Sequence, residues 1–243
     1  MAPVQFNNLM GLQKQNCSLM EMLGGGYYYV DTYSQDNNRK TNLRVAAKRL
    51  AVSMRQYQIK LLGIMAMDVK SEAAKEAYQV YVDANDQLEG IVALQYSPYA
   101  GGEGDVIWVT NKAGYDIPVI TVKYSLWNFG NRNAEREGTP AYIAGRLKQE
   151  AQQESFSVVC VHAWSNFSDH GQTEDPLIEN QSGDIRGAGA AKLCAGHLND
   201  SFEVVNMQEL VWRLRMSQRP EQTKKYLCLL YTSPSPRDGL LSR

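Results

Sequence analysis

Cysteine is scarce in this chain of 243 residues: four in all, at positions 17, 160, 194 and 228, with no two in a Cys-x-x-Cys spacing. Neither a disulfide framework nor a zinc site is indicated by that usage. Cys160 lies inside the apolar run Val158-Val159-Cys160-Val161 and reads as a small buried hydrophobe. An excess of one charge is lacking as well, since 25 basic residues face 26 acidic ones. Such a balance gives no electrostatic reason to expect a nucleic acid or an anionic membrane surface as partner. No apolar run approaches the ~20 residues needed to cross a bilayer, and residues 1–18 have neither the basic nor the apolar region of a secretory signal. Internal repeats are absent too. What remains is the composition of an ordinary soluble globular chain, long enough to bury a substantial core in one domain.

The pattern along the chain is helical and extended by turns. Asn42 stands as a candidate N-cap before Leu43, Ala46, Ala47, Leu50, Ala51, Met54 and Tyr57, an apolar stripe with the period of a helix. Ile59 to Met67 has the length and composition of a buried strand. Ala74, Ala77, Tyr78 and Tyr81, behind Ser71, then predict a second helix, and Gly90 to Leu94 a second strand of this kind. Simple alternation then breaks: Tyr99 to Gly104 is a Gly-rich turn, Asp105 to Thr110 an apolar strand, and Asn111 to Tyr115 turn the chain back into Ile117 to Val122. Thr139-Pro140 supplies an N-cap and a proline at the first helical position, with Tyr142, Ile143 and Leu147 on one face. Phe156 to Val161 predicts another strand, Asp184 to Leu198 a small-residue helix, and Phe202 to Val205 a last strand. Asn206-Met207-Gln208-Glu209 resembles a capping box ahead of Leu210, Val211 and Leu214. Apolar strands alternating with amphipathic helices require a parallel sheet covered by helices, so the fold class is α/β.

One segment stands out from this background. Gly24-Gly25-Gly26-Tyr27-Tyr28-Tyr29-Val30-Asp31 is a glycine turn opening into aromatics, and it resembles the GxGYxYP signature with Val30 in the place of proline. Further segments follow in the family's order: Met67-Asp68, then Leu94 to Gly104, Val106-Ile107-Trp108, Pro118-Val119-Ile120, Ser125-Leu126-Trp127 and Val161-His162-Ala163-Trp164-Ser165. Together they resemble the C-terminal domain of the GxGYxYP putative glycoside hydrolases from about Leu19 to Met216. The resemblance implies a (β/α)-barrel-like arrangement of parallel strands, here incomplete, acting on a carbohydrate ligand without a cofactor, from a secreted or periplasmic bacterial protein.

The two ends read differently. Cys228 to Asp238 resembles the translation of a transposon-end adapter used in preparing sequencing libraries, which makes residues 228–243 an expected artefact of a metagenomic fragment. Residues 1–18 match no recognised pattern, leaving residues 19–218 as the expected α/β domain. Setting aside Arg237, Arg243 and Asp238 with the tail leaves the charges still nearly balanced.

In parallel α/β architectures the ligand site lies at the carboxyl ends of the strands, where the loops converge on one rim. The expected strand ends carry Asp31, Asp68, Tyr96 and Tyr99, then Lys123, Tyr124 and Trp127, then His162 and Trp164. A pyranose ring stacks its apolar face on an aromatic ring while its hydroxyls seek polar partners. Tyr27, Tyr29, Tyr99, Trp127 and Trp164 are the expected sugar platform, with His162 as a hydrogen-bond partner. Glycoside hydrolysis uses two carboxyl groups, and Asp31 and Asp68 are the candidate catalytic pair, with Glu103 and Asp105 in reserve. Plainer roles compete with each assignment, because an Asp after a strand commonly caps the next helix or turn and single aromatics commonly fill cores. Two further chemistries compete with hydrolysis. The three glycines do not form a phosphate cradle, because Tyr27 to Val30 read as strand where such motifs need a helix N-terminus. His162, Asp169 and His170 suit the metal of a sugar deacetylase in residue type, without the helix-face spacing of a ligand pair. A carbohydrate-binding module with no chemistry is the other alternative.

Overall fold

The computed structural model describes residues 20–23, 37–66, 72–95, 106–126, 139–160 and 188–224. Strand β1 (Met20–Leu23) is followed by helix α1 (Asn37–Gln56), β2 (Leu61–Ala66), α2 (Glu72–Ala84) and β3 (Gly90–Gln95). A hairpin of β4 (Val106–Thr110) and β5 (Asp116–Thr121) comes next, then β6 (Tyr124–Ser125), α3 (Pro140–Glu150), β7 (Val159–Cys160), α4 (Ala188–Gly196) and α5 (Met207–Gln218). The five-stranded sheet has the order β1-β2-β3-β5-β4. β1, β2, β3 and β5 are mutually parallel, and β4 runs antiparallel to β5 on its outer side. Just past β5 the chain forms β6, which pairs in parallel with β7.

Both faces of the sheet are covered, which is why its strands read as continuous apolar runs. Leu62, Ile64, Ile91, Ala93, Ile117 and Val119 point to one side, where α1 and α2 bring Leu43, Ala47, Met54, Ala74, Ala77 and Tyr78. Their alternates Leu61, Val92, Ile120 and Val122 point to the other and pack on Leu210, Val211 and Leu214 of α5. A third cluster joins Tyr124 and Leu126 to Ile143, Ala144 and Leu147 of α3 and to Cys194 of α4. Each such fully buried aliphatic side chain contributes roughly 1.5–3 kcal/mol relative to exposure.

Local signals fix the joints. α1 ends in a left-handed cap: Gln58 has φ 56° and donates its N–H to Arg55 O at 3.2 Å, while Ile59 N donates to Met54 O at 2.8 Å. Those are the two bonds of a Schellman motif, and its apolar contact is supplied by the buried pair Met54 and Ile59. In the β4–β5 hairpin Asn111 Oδ1 accepts from Ala113 N and Tyr115 N, and Gly114 takes φ 83°. Pro118, which has no N–H, stands just before Val119, the residue from which β5 is paired to β3 onward. Thr139 caps α3 by accepting from Tyr142 N, and Asn206 caps α5 by accepting from Glu209 N at 2.9 Å.

Several expectations are corrected. α1 begins by Asn37, so Asn42 lies within the helix and is not its cap; nothing in Asn37 to Thr41 breaks a helix. Tyr142 is 42% exposed and does not share the buried face of Ile143 and Leu147. Phe202 to Val205 is irregular rather than a strand: Phe202 closes a turn by donating to Asn199 O, and Val204 is exposed. The sheet is open among the described residues, with β1 at one edge and β4 at the other, so the barrel-like closure is not seen there.

Candidate functional site

Parallel pairing brings the carboxyl ends of the strands together along one edge. β1 aligns Leu23 with Ile64 of β2, and β2 aligns Ala66 with Gln95 of β3, so these three strands finish within two residues of one another. Segments 24–36, 67–71, 96–105, 127–138 and 161–187 follow the ends of β1, β2, β3, β6 and β7 in sequence. Every sequence-predicted site residue falls on one of them. Tyr27, Tyr29, Asp31, Asp68, Tyr99, Trp127, His162 and Trp164 lie outside the described residues, as do Glu103, Asp105, Asp169 and His170.

Lys123 and Tyr124 are the strand-end side chains that are described, and they do not serve a rim. Lys123 Nζ donates to Glu150 Oε2 at 2.7 Å and also to Glu154. Tyr124 OH donates to Glu150 Oε1 at 2.6 Å, and Arg146 Nη2 reaches the same oxygen at 3.2 Å. All these partners belong to the last turn of α3 or to the loop leading into β7, the opposite end of that crossover from the segments that follow β6 and β7. Burial alone pushes the Glu150 carboxyl up, but the bonds from Lys123 and Tyr124 outweigh it and hold the group below the usual glutamate value. Burial likewise depresses Lys123, and the two glutamates more than compensate, leaving it above the usual lysine value. Tyr124 is raised by burial and by its bond to Glu150. An ionised glutamate without a proton to give, a lysine without a lone pair and a neutral phenol form a structural joint between strand and helix. Sequence reasoning read Lys123 as a strand-end group but not its partners; the Arg146–Glu150 spacing of four on a helix was the available signal.

Beside this joint a cleft of about 760 Å³ opens between the end of α3, α4 and α5. Its walls are largely apolar, with Phe156, Val158, Leu198 and Leu214 among them, and Glu150, Glu154 and Arg213 stand at its polar margin. The size suits a small ligand. Its charges, however, are already engaged: Arg213 donates two bonds of 2.7 and 2.8 Å to Glu203 and two more, of 2.6 and 3.1 Å, to Glu209, and the first pair keeps Glu203 below its ordinary value. Glu150 and Glu203, held ionised by their bonds, have no proton to give. Cys194 in its wall is buried, and burial pushes its thiol up, away from the reactive thiolate.

No group of three histidine, cysteine, aspartate or glutamate side chains suited to a metal ion gathers among the described residues, and no described helix is long and apolar enough to cross a membrane. A family model described as the GxGYxYP putative glycoside hydrolase C-terminal domain matches residues 19–180. No curated protein and no solved structure matches the chain.

Proposed function

We propose that this chain, which belongs to the GxGYxYP putative glycoside hydrolase family through its C-terminal domain, binds a carbohydrate at the carboxyl ends of its parallel strands and cleaves a glycosidic bond there. The observation that carries the reading is the coincidence of family membership with strand order. Family membership points to sugar chemistry, and the acids and aromatics suited to that chemistry follow, in sequence, strands that end side by side. Asp31 and Asp68 are assigned as the acid and the base or nucleophile, His162 as a hydrogen-bond partner, and Tyr27, Tyr29, Tyr99, Trp127 and Trp164 as the platform under the sugar ring. Closure of the sheet into a barrel belongs to the same proposal, supported by the way β6 and β7 carry parallel pairing beyond β5.

The chemistry asks for an acid whose proton reaches the leaving oxygen and a second carboxylate on the opposite side of the anomeric carbon. Aromatic walls would raise the pKa of the first by burial and leave the second ionised in a wetter setting. Release of sugar from a broad glycan panel, compared with the Asp31→Asn/Asp68→Asn variant, tests the assignment. Release lost in the variant supports hydrolysis by this pair. Undiminished release removes both residues from the chemistry, and glycan binding without release by the unaltered protein makes it a binding module.

A further inference from the structure

Helix α1 concentrates charge of one sign in a chain that is otherwise balanced. Its 20 residues include Arg39, Lys40, Arg44, Lys48, Arg49 and Arg55 and no acidic residue. The inner face is committed to the core through Leu43, Ala47, Ala51 and Met54. The outer face presents Arg44, Lys48, Arg49 and Arg55 to solvent, with Val45 and Val52 between them. At 100° per residue Arg44, Lys48 and Arg55 fall within about 40° of one line along the helix. Arg55 has one neighbour of opposite charge, Asp86 at 3.6 Å, itself 84% exposed. Arg44, Lys48 and Arg49 have no hydrogen-bond or ion-pair partner among the described residues.

Unpaired like charges along one face repel each other and gain by meeting a ligand of opposite sign. The helix also has a particular place. It starts after segment 24–36, which follows the carboxyl end of β1, and runs back to the start of β2. With a rise of 1.5 Å per residue, its outward cations begin about 10 Å from that start and extend to about 27 Å. A ligand touching Arg44, Lys48 and Arg55 is therefore extended, with Arg49 about 100° round from Lys48 on the flank of the same exposed face. No aromatic side chain stands among the outward residues between Arg44 and Gln56, so a neutral sugar has nothing to stack on there. Two valines are likewise too little to anchor a helix in a bilayer, which takes bulky apolar residues on the buried face.

From this we infer that the outer face of α1 is an accessory strip for an anionic polysaccharide, one bearing uronate carboxylates or sulfate esters, held by Arg44, Lys48, Arg49 and Arg55. The inference rests on the carbohydrate reading above and narrows its substrate class. Retention of the full chain on polygalacturonate and on chondroitin sulfate, measured by affinity electrophoresis at low salt, tests it against neutral dextran, duplex DNA and phosphatidylserine vesicles. Arg44→Gln/Lys48→Gln/Arg49→Gln keeps good helix formers at exposed positions, and an unchanged melting temperature verifies its fold. The expected result is binding to the two anionic glycans, none to dextran, about tenfold weaker binding by the triple variant and loss of the difference near 1 M salt. Equal retention of variant and parent overturns the inference, as does dextran binding as tight as polygalacturonate binding. Preference for DNA or for vesicles overturns it too, and transfers the strip to that partner. The two proposals fail separately. Sugar release from neutral glycans with undiminished variant retention sinks the strip alone, whereas strip-dependent retention without release from any glycan sinks the hydrolase alone.

Discussion

Gly90 opens β3 opposite Leu61, where Val211 of α5 packs against the sheet. A Cβ added there would stand 2.8 Å from Val211 Cγ2 and 3.4 Å from Leu61 Cδ2. Gly114 is the one glycine with a positive φ among the described residues, so what position 90 demands is space and not a left-handed backbone. Val211 and Leu61 are each 1% exposed, and a valine side chain has a single stiff torsion with which to move aside. Gly90→Ala therefore overpacks the interface, at about 1–3 kcal/mol. Against this stands a gain of about 0.4–1 kcal/mol, because alanine narrows the unfolded ensemble. The net expectation is a loss of roughly 1–2 kcal/mol, the difference of those two terms. Urea denaturation measures it, and the slope of the transition should stay unchanged. Val211→Ala alone leaves a void and costs about 1–3 kcal/mol. In the double variant the new methyl enters the space that valine vacated, so its loss should fall short of the sum of the two single losses by about 1 kcal/mol or more. A neutral or stabilising Gly90→Ala, or strict additivity, would refute the close approach of α5 to β3.

The remaining predictions concern the joints of the fold. Glu150 has its pKa lowered below the ordinary 4.5, so its contribution is complete above that value and is lost as pH falls through the lowered folded value. Lys123, raised above 10.5, contributes fully below that value and stops contributing as pH rises through the raised one. Glu150→Gln should thus lower the melting temperature at neutral pH and flatten its decline in acid; an acid limb superimposable on that of the parent would count against the joint. Gln58 holds φ 56° without being glycine, which costs about 1 kcal/mol. Gln58→Gly should then stabilise the protein by several tenths of a kcal/mol in urea unfolding, net of glycine's greater freedom when unfolded, and any destabilisation would dispute the cap. Arg219 stacks 4.6 Å over the Trp108 ring and donates to Asp116 at 2.7 Å, tying the end of α5 to the hairpin. Arg219→Ala should cost about 1–2 kcal/mol, and lysine should restore little because it lacks the planar fork. Full rescue by lysine would show that charge alone matters there.

What the sequence disclosed and what it withheld follow from the range of the interactions involved. The second helix, strands β2 and β3, the Thr139-Pro140 start and the Asn206 cap were legible because period, cap and first-turn proline act over a few residues. The hairpin turn at Asn111 to Tyr115 was legible for the same reason. The insertion of β5 between β3 and β4 was not, since it depends on which strand edges meet. Asn42 misled because a capping residue type says only that a helix can start there, and no breaker stops the helix extending back to Asn37. At the candidate site the same division is sharper. Lys123 and Tyr124 were read as rim groups from position alone, yet their partners are carboxylates of α3 and the loop after it, and they serve a structural joint. Strand-end position therefore selects candidates without deciding their work; partners decide it. Applied to Asp31 and Asp68, that criterion is chemical. An aspartate clasped by a cation is held ionised, as Glu150 is, and has no proton to give. One set against aromatic walls has its pKa raised and can donate to a leaving oxygen. For hydrolysis by this pair, one aspartate must be of the second kind and the other must remain ionised, so the pH profile of sugar release should show two limbs, and changing either aspartate alone to asparagine should abolish release or remove that residue's limb from what release remains.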